Sequence, residues 1–224
     1  MPTSSDVRLL VAANRKVTSL ALAEFESVWL SIDASDALAA KRVLLGATPG
    51  LVAKYGDLAA TLAADLYEQW RSDAGVRGLY VPLTADPAPV GQVQASVRFA
   101  IGSLFQASPD AAAVHELLAA DVIGRNIANQ SRATIAANAK RDPAKPRYAR
   151  IPIGRTCEFC VMLASRGAAY HSEDTALASS HGNCRCVLAP EFEPGDLPDD
   201  YHPDALYDQW QAMKAERESQ TSQQ

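Results

Sequence analysis

Apolar residues in the first quarter of the chain recur at helical spacing. Val7, Leu10, Val11, Val17, Leu20, Phe25, Val28 and Trp29 trace one face of a first helix. Ser4, Ser5 or Asp6 is placed to cap it, because a short side-chain oxygen accepts from the unpaired N–H groups of a first turn. A second, short helix is expected to start at Asp33 or Ser35 and to end near Gly46. Thr48-Pro49 then reads as a new start, since proline fits the first helical position without wasting a donor. The third helix carries Leu51, Tyr55, Leu58, Leu62, Leu66 and Trp70, and Gly75 and Gly78 end it.

The pattern breaks at GLYVPLTADPAP, residues 78–89. Its three prolines argue against a central strand and leave a short extended segment. Helix is expected again over Val90–Ala107. Ser108-Pro109 opens the longest helix, from about Asp110 to Ala139, with a stripe of Val114, Leu117, Leu118, Val122, Ile123, Ile127 and Ile135. Its basic, proline-rich end suits the negative end of a helix dipole. RYARIPIG then alternates, which predicts a strand at Tyr148–Ile153, and CRCVLAP predicts a second. An acidic loop follows, Asp204 is placed to cap a last helix over Ala205–Glu218, and SQTSQQ reads as a frayed end. Trp29, Trp70 and Trp210 fall on helical faces as packing anchors.

This order of elements predicts a mainly α fold. A helical bundle (1–140) precedes a small α+β module stapled by cysteine and histidine (141–190). An acidic loop, a C-terminal helix and a tail (191–224) complete it.

Composition narrows the function. The chain has 224 residues, 48% hydrophobic and 21% charged, enough for a buried core and unlike a disordered chain. Its net charge of -5 argues against a polycation built to coat nucleic acid. No apolar run reaches the roughly 20 residues that span a bilayer, so no membrane partner is expected. The first residues lack the pattern of a secretory leader, which points to synthesis in a cytoplasm. The charge is uneven. Arg132, Lys140, Arg141, Lys145, Arg147, Arg150 and Arg155 face only Asp142 over 132–155, and acids dominate from Glu191 onward. The basic connector reads as solvated surface or as a contact with DNA or an acidic partner.

All four cysteines lie in CEFCVMLASRGAAYHSEDTALASSHGNCRC, residues 157–186. Cys157 and Cys160 form a C-x2-C knuckle, and His181 and Cys184 form a second pair twenty residues on. Two such turns can deliver four ligands to one tetrahedral zinc ion. Cys186 competes for the fourth place, because alternation along a strand points it the same way as Cys184. The candidate metal ligands are therefore Cys157, Cys160, His181, Cys184 and Cys186, with zinc in a structural role. Disulfides are the second reading, and a redox pair the third, since no thioredoxin-like βαβ pattern surrounds the knuckle. In the first two readings the cysteines stabilise a unit with little core of its own.

The stretch from Thr156 to Pro190 resembles the C-terminal signature of the Mu F-like minor head (head morphogenesis) proteins of tailed bacteriophages, actinobacteriophage type. Cys157, Cys160, Leu163, Tyr170, His181, Cys184, Arg185 and Cys186 occupy the signature positions, and Gly182 replaces the usual proline. The likeness covers about forty residues. It implies a low-copy virion protein inside the head, near the portal vertex, acting in head assembly or in DNA packaging and ejection. Portal or major capsid proteins are the implied partners, with packaged DNA reached through the 132–155 segment. The virion is the implied location, after assembly in the host cytoplasm. The apolar helices leave self-association open.

Two alternatives compete with this reading. Proteins of this kind are often labelled capsid maturation proteases. A serine protease needs a nucleophile, a base and an orienting group, and the chain offers only His115, His171, His181 and His202 as bases, with no G-x-S-x-G elbow. No catalytic residue is therefore assigned. A DNA-binding module is the other alternative. It predicts salt-dependent binding that weakens when Arg147 and Arg150 are neutralised.

Overall fold

The computed structural model describes residues 3–154, 156–170 and 186–221. The helices are α1 (Ser4–Leu30), α2 (Ala37–Asp73), α3 (Val90–Ala100), α4 (Ala111–Leu117), α5 (Arg125–Arg141), α6 (Glu158–Ala164) and α7 (Pro203–Thr221). A 3-10 turn, Ile101–Phe105, follows α3, and a π-helical stretch, Leu118–Gly124, links α4 to α5 without a break. Two short strands, β1 (Arg147–Ile151) and β2 (Val187–Glu191), pair antiparallel, from Arg147 opposite Glu191 to Ile151 opposite Val187. The fold is mainly α, with a helical N-terminal bundle and a C-terminal helix, as the patterning predicts.

Thr3, one residue before the expected caps, closes the start of α1. Its hydroxyl accepts the Asp6 N–H at 3.2 Å, and the Asp6 carboxylate accepts the Thr3 N–H at 2.8 Å. This reciprocal capping box satisfies two donors of the first turn. Leu20, assigned to the buried face, is exposed.

The two helices expected over 33–75 are one. Asp36 caps α2 by accepting the Ala39 N–H at 2.9 Å, and the helix runs straight through Gly46 and Pro49. A proline inside a helix deprives the carbonyl four residues earlier of its donor. Here that carbonyl belongs to Leu45, and the Gln94 side-chain amide of α3 donates to it at 3.4 Å. Pro49 itself is buried. Tertiary structure thus offsets a local break signal. The core face of α2 is also built differently: Ala59, Ala60, Ala63, Ala64 and Tyr67 are buried, while Leu58 is exposed. Small residues let α1 and α5 approach the helix closely.

The π stretch replaces regular helix in the middle of the longest expected element. Gly124 belongs to it. A Cβ there would meet the Ala119 carbonyl oxygen at 3.2 Å, so the wide turn suits a residue without a side chain.

The segment 78–89 forms no strand, yet it is firmly held. It lies along α5, whose side chains act as a hydrogen-bonding edge. The Asn138 amide accepts the Leu83 N–H at 2.9 Å and donates to the Leu83 carbonyl at 2.8 Å. Thr134 accepts the Ala85 N–H at 3.1 Å, and Gln130 donates to the carbonyls of Ala85 and Asp86, each at 2.7 Å. Positions 130, 134 and 138 are spaced four apart and share one helix face. Buried polar residues of α5 therefore stand in for a neighbouring strand.

Among the described residues two large hydrophobic clusters fill the interior, beside the small pair of Cys160 and Cys186. One is helical and mostly aliphatic, built around Phe25, Leu44, Val52, Val97, Leu118, Ile123 and Ile127. The other joins the far end of the bundle to the C-terminal module. It includes Leu10, Tyr67, Trp70, Ile135, Tyr148, Leu163, Tyr170, Leu188 and Tyr201. Trp70 is fully buried in this second cluster. No helix among the described residues is long and apolar enough to cross a membrane.

Candidate functional site

The module carrying the cysteines is built from β1, β2 and α6. The strands lie against α5, and α6 brings one knuckle cysteine inward. Cys157 is the N-cap of α6, and its sulfur accepts the Cys160 N–H at 3.5 Å. Cys157 is exposed and Cys160 is buried. Cys160 packs against Cys186, which is also buried and directly precedes β2, with Phe159 beside the pair.

The other end of α6 is clamped by two tyrosines. The Tyr170 hydroxyl donates to the Leu163 carbonyl at 2.6 Å, and the Tyr201 hydroxyl donates to the Ala164 carbonyl. Both carbonyls sit in the last turn, beyond the regular helical bonds, and the Ala164 carbonyl also accepts the Gly167 N–H at 3.4 Å. Burial, the main cause, pushes the phenol pKa of both tyrosines up, so each stays a neutral donor. Tyr170 also bridges to β1 through reciprocal backbone bonds with Tyr148 at 3.3 and 3.4 Å, and the two rings stack at 6.1 Å. A seven-residue helix too short to stand alone is thus fixed at both ends.

Arg132 ties the module to the bundle. Its guanidinium is buried on α5 and donates to the Cys186 carbonyl at 2.9 Å and to the Asn129 side chain. Arg150, on β1, is also fully buried. Both belong to the segment expected to offer a basic surface. Their burial corrects that expectation: Arg150 cannot be a direct DNA contact, and the Arg147 and Arg150 pair is not a surface pair. Lys140, Arg141, Lys145 and Arg147 remain exposed.

Of the five candidate metal ligands, Cys157, Cys160 and Cys186 are described, and Cys160 and Cys186 are brought together. His181 and Cys184 lie outside the described residues, as do His171, Arg155 and Arg185. Among the described residues no group of three or more His, Cys, Asp or Glu side chains is placed to hold a metal ion. The described residues alone therefore supply a sulfur pair and not a tetrahedral donor set.

The described histidines occupy helix junctions. His115 Nε2 lies 2.8 Å from a Glu26 carboxylate oxygen, and its ring packs against Phe25 and Trp29 at 5.4 and 5.0 Å. This pairing joins α4 to α1. His202 precedes α7, and its carbonyl accepts the Leu206 N–H at 3.1 Å.

A cleft of about 610 Å³ opens between α1 and the π stretch and reaches Cys186 and Val187. Arg15, Arg125 and Glu116 bring charge to its lining. Nothing in the residue pattern marks it, because it arises where Ala120, Gly124 and Ala128 leave room beside α1.

The architecture can be compared with known proteins. The model of the VG15 protein family matches residues 1–213. The chain belongs to the VG15 family. VG15 is a family of viral proteins, so this is a viral protein. The VG15 match takes in the bundle, the cysteine module and most of α7, a far longer span than the forty residues of the Mu F-like likeness. No curated protein and no solved structure matches the chain.

Proposed function

We propose that this viral protein is a minor component of a tailed-bacteriophage virion, of the Mu F-like kind, acting in head assembly near the portal and in DNA packaging or ejection. The observation that carries the reading is the clamped cysteine module. Residues of the signature have defined structural jobs: Cys157 caps α6, Cys160 meets Cys186, and Tyr170 closes the helix. The membership of a viral family supports the same reading. A module fixed to the bundle by a buried arginine suits an architectural protein that presents rigid surfaces to portal or major capsid subunits. A structural zinc held by Cys157, Cys160, Cys184 and either His181 or Cys186 belongs to this proposal. Elemental analysis of the purified chain tests it: one zinc per chain, lost in Cys157→Ser, is expected.

The deciding experiment is quantitative mass spectrometry of purified particles. The chain is expected in mature virions at a few copies per major-capsid shell. Its absence from particles that contain portal and capsid proteins overturns the proposal. Cleavage of major capsid protein or scaffold by the purified chain would favour the maturation protease instead.

A further inference from the structure

We propose that the turn joining α5 to β1, together with the turn that ends α2, forms a rigid cationic surface that binds the phosphate backbone of duplex DNA. The inference deepens the virion reading and rests on it for its biological setting.

The 140–147 stretch contains one acid, Asp142, and the fold takes it inside. Asp142 is fully buried. One of its carboxylate oxygens accepts from Arg71 Nε at 2.8 Å and from the Tyr67 hydroxyl at 3.2 Å. The other accepts the Ala144 N–H at 2.9 Å, and the Asp142 carbonyl accepts the Lys145 N–H at 2.9 Å. The negative charge is spent on a buried arginine and on the turn itself. The residues left exposed from 140 to 147 are Lys140, Arg141, Pro143, Ala144, Lys145 and Arg147, all cationic or neutral.

The same lock brings in a distant cation. Arg71 uses its other nitrogens to hold the end of α2, donating to the carbonyls of Val76 at 3.3 Å, Arg77 at 3.3 Å and Gly78 at 2.8 Å. One guanidinium therefore binds the 76–78 turn and Asp142 at once. That places exposed Arg77 beside the 140–147 turn, although some sixty residues separate them in sequence.

The surface is preorganised. Lys145 adopts a left-handed backbone, φ +51°, and its Nζ donates to the Lys140 carbonyl at 2.7 Å. Pro143 and Pro146 stiffen the turn further. Little ordering entropy then opposes binding. On β2, Glu191 lies opposite Arg147, and one of its carboxylate oxygens is taken by the Gly195 N–H at 3.0 Å. The exposed residues of the turn include no aromatic side chain, so it lacks the stacking platforms that hold single strands. Cations without stacking groups suit a duplex backbone.

The test is fluorescence anisotropy of the full chain with a duplex of random sequence, about 30 base pairs long, titrated across salt. The wild type is expected to bind with affinity that falls linearly in log salt. The variant Arg77→Gln/Lys140→Gln/Arg141→Gln/Arg147→Gln should bind more weakly, with the slope reduced by about 0.9 for each phosphate that is no longer neutralised. Arg15→Gln/Lys16→Gln, on α1, should leave the slope unchanged. These side chains are exposed, and circular dichroism checks that each variant folds. An unchanged slope in the fourfold variant overturns the proposal, as does equal or tighter binding of a single strand of the same length. The readout uses purified protein alone. It can fail while the chain is found in virions, and it can succeed while the chain is absent from them.

Discussion

The two hydrophobic clusters are held by different physics. The cluster around Leu44, Val97, Leu118 and Ile123 is helix on helix, packed with aliphatic side chains. The cluster that joins bundle to module is ringed by buried charge: Arg71, Arg132, Asp142 and Arg150 all lie at that end, each under a tenth exposed. Aliphatic packing tolerates reshaping as long as volume is kept. A buried charge tolerates only a partner with the right geometry. The first cluster therefore sets how stable the bundle is, and the second sets where the module sits.

The largest expected effect tests this contrast with two swaps that conserve shape. Asp142→Asn keeps the side-chain volume and removes the charge that faces Arg71. Leaving that guanidinium buried without its carboxylate should cost about 3–5 kcal/mol. Leu118→Met, in the aliphatic cluster, should cost less than about 1.5 kcal/mol. Urea unfolding of both variants measures the difference. Equal costs would erase the distinction between the two ends.

A smaller effect is expected at the seam. Arg132→Met retains an unbranched apolar stem but leaves the Cys186 carbonyl without its donor. An unsatisfied buried acceptor costs about 1–3 kcal/mol. The change should be local, seen as faster hydrogen exchange at Val187–Glu191 with the amides of α2 unaffected. Uniformly weaker protection along the chain would show that Arg132 supports the whole fold and does not specifically dock the module.

These residues also show what the sequence makes legible. Helical periodicity locates α1, the end of α2, and the α4–α5 stripe, because burial along one face leaves a repeating record. The strands are visible within about three residues, since alternation and β-formers mark them. The Thr48-Pro49 boundary misleads because its remedy, Gln94, lies on another helix. Arg132 and Arg150 read as surface because no local pattern distinguishes a buried arginine from a solvated one. The polar row of Gln130, Thr134 and Asn138 has helical spacing, but its partner is an irregular segment with no periodicity of its own. The cysteine cluster stands out by residue type and spacing. Its link to the bundle, one guanidinium on one carbonyl, has no sequence signal.

Alkaline titration should act on the module end of this contrast. Burial raises the phenol pKa of Tyr67 and Tyr201 well above the ordinary value, with Asp142 adding to the rise at Tyr67. A group whose folded pKa is raised binds its proton more tightly in the folded state. Its contribution is complete below the unfolded value, about pH 10, and disappears as pH climbs beyond it. Each tyrosine should cost up to about 1.4 kcal/mol per pH unit in that range. Tyr201→Phe removes one such group, so the fall in stability between about pH 10 and 11 should be shallower in that variant. An identical fall would assign the alkaline sensitivity elsewhere.

The smallest effect belongs to α7, which rests on the module rather than within it. None of its residues is buried. Arg217 reaches Glu158, the first residue of α6, with N–O distances of 2.9 and 3.2 Å. Arg217 is largely solvated while the Glu158 side chain is only 25% exposed, so Arg217→Ala should change global stability by about 1 kcal/mol or less. Its effect should instead be local. Glu158 follows the cap residue Cys157, and its negative charge sits favourably at the start of α6 whether or not Arg217 is present. Removing the pair should therefore loosen α7 and leave α6 in place. Faster hydrogen exchange confined to Pro203–Thr221 is the expected result. A matching acceleration at Glu158–Ala164 would mean that α7 holds the cysteine knuckle in position. The module would then depend on two flanking supports, the buried arginine on one side and the exposed helix on the other.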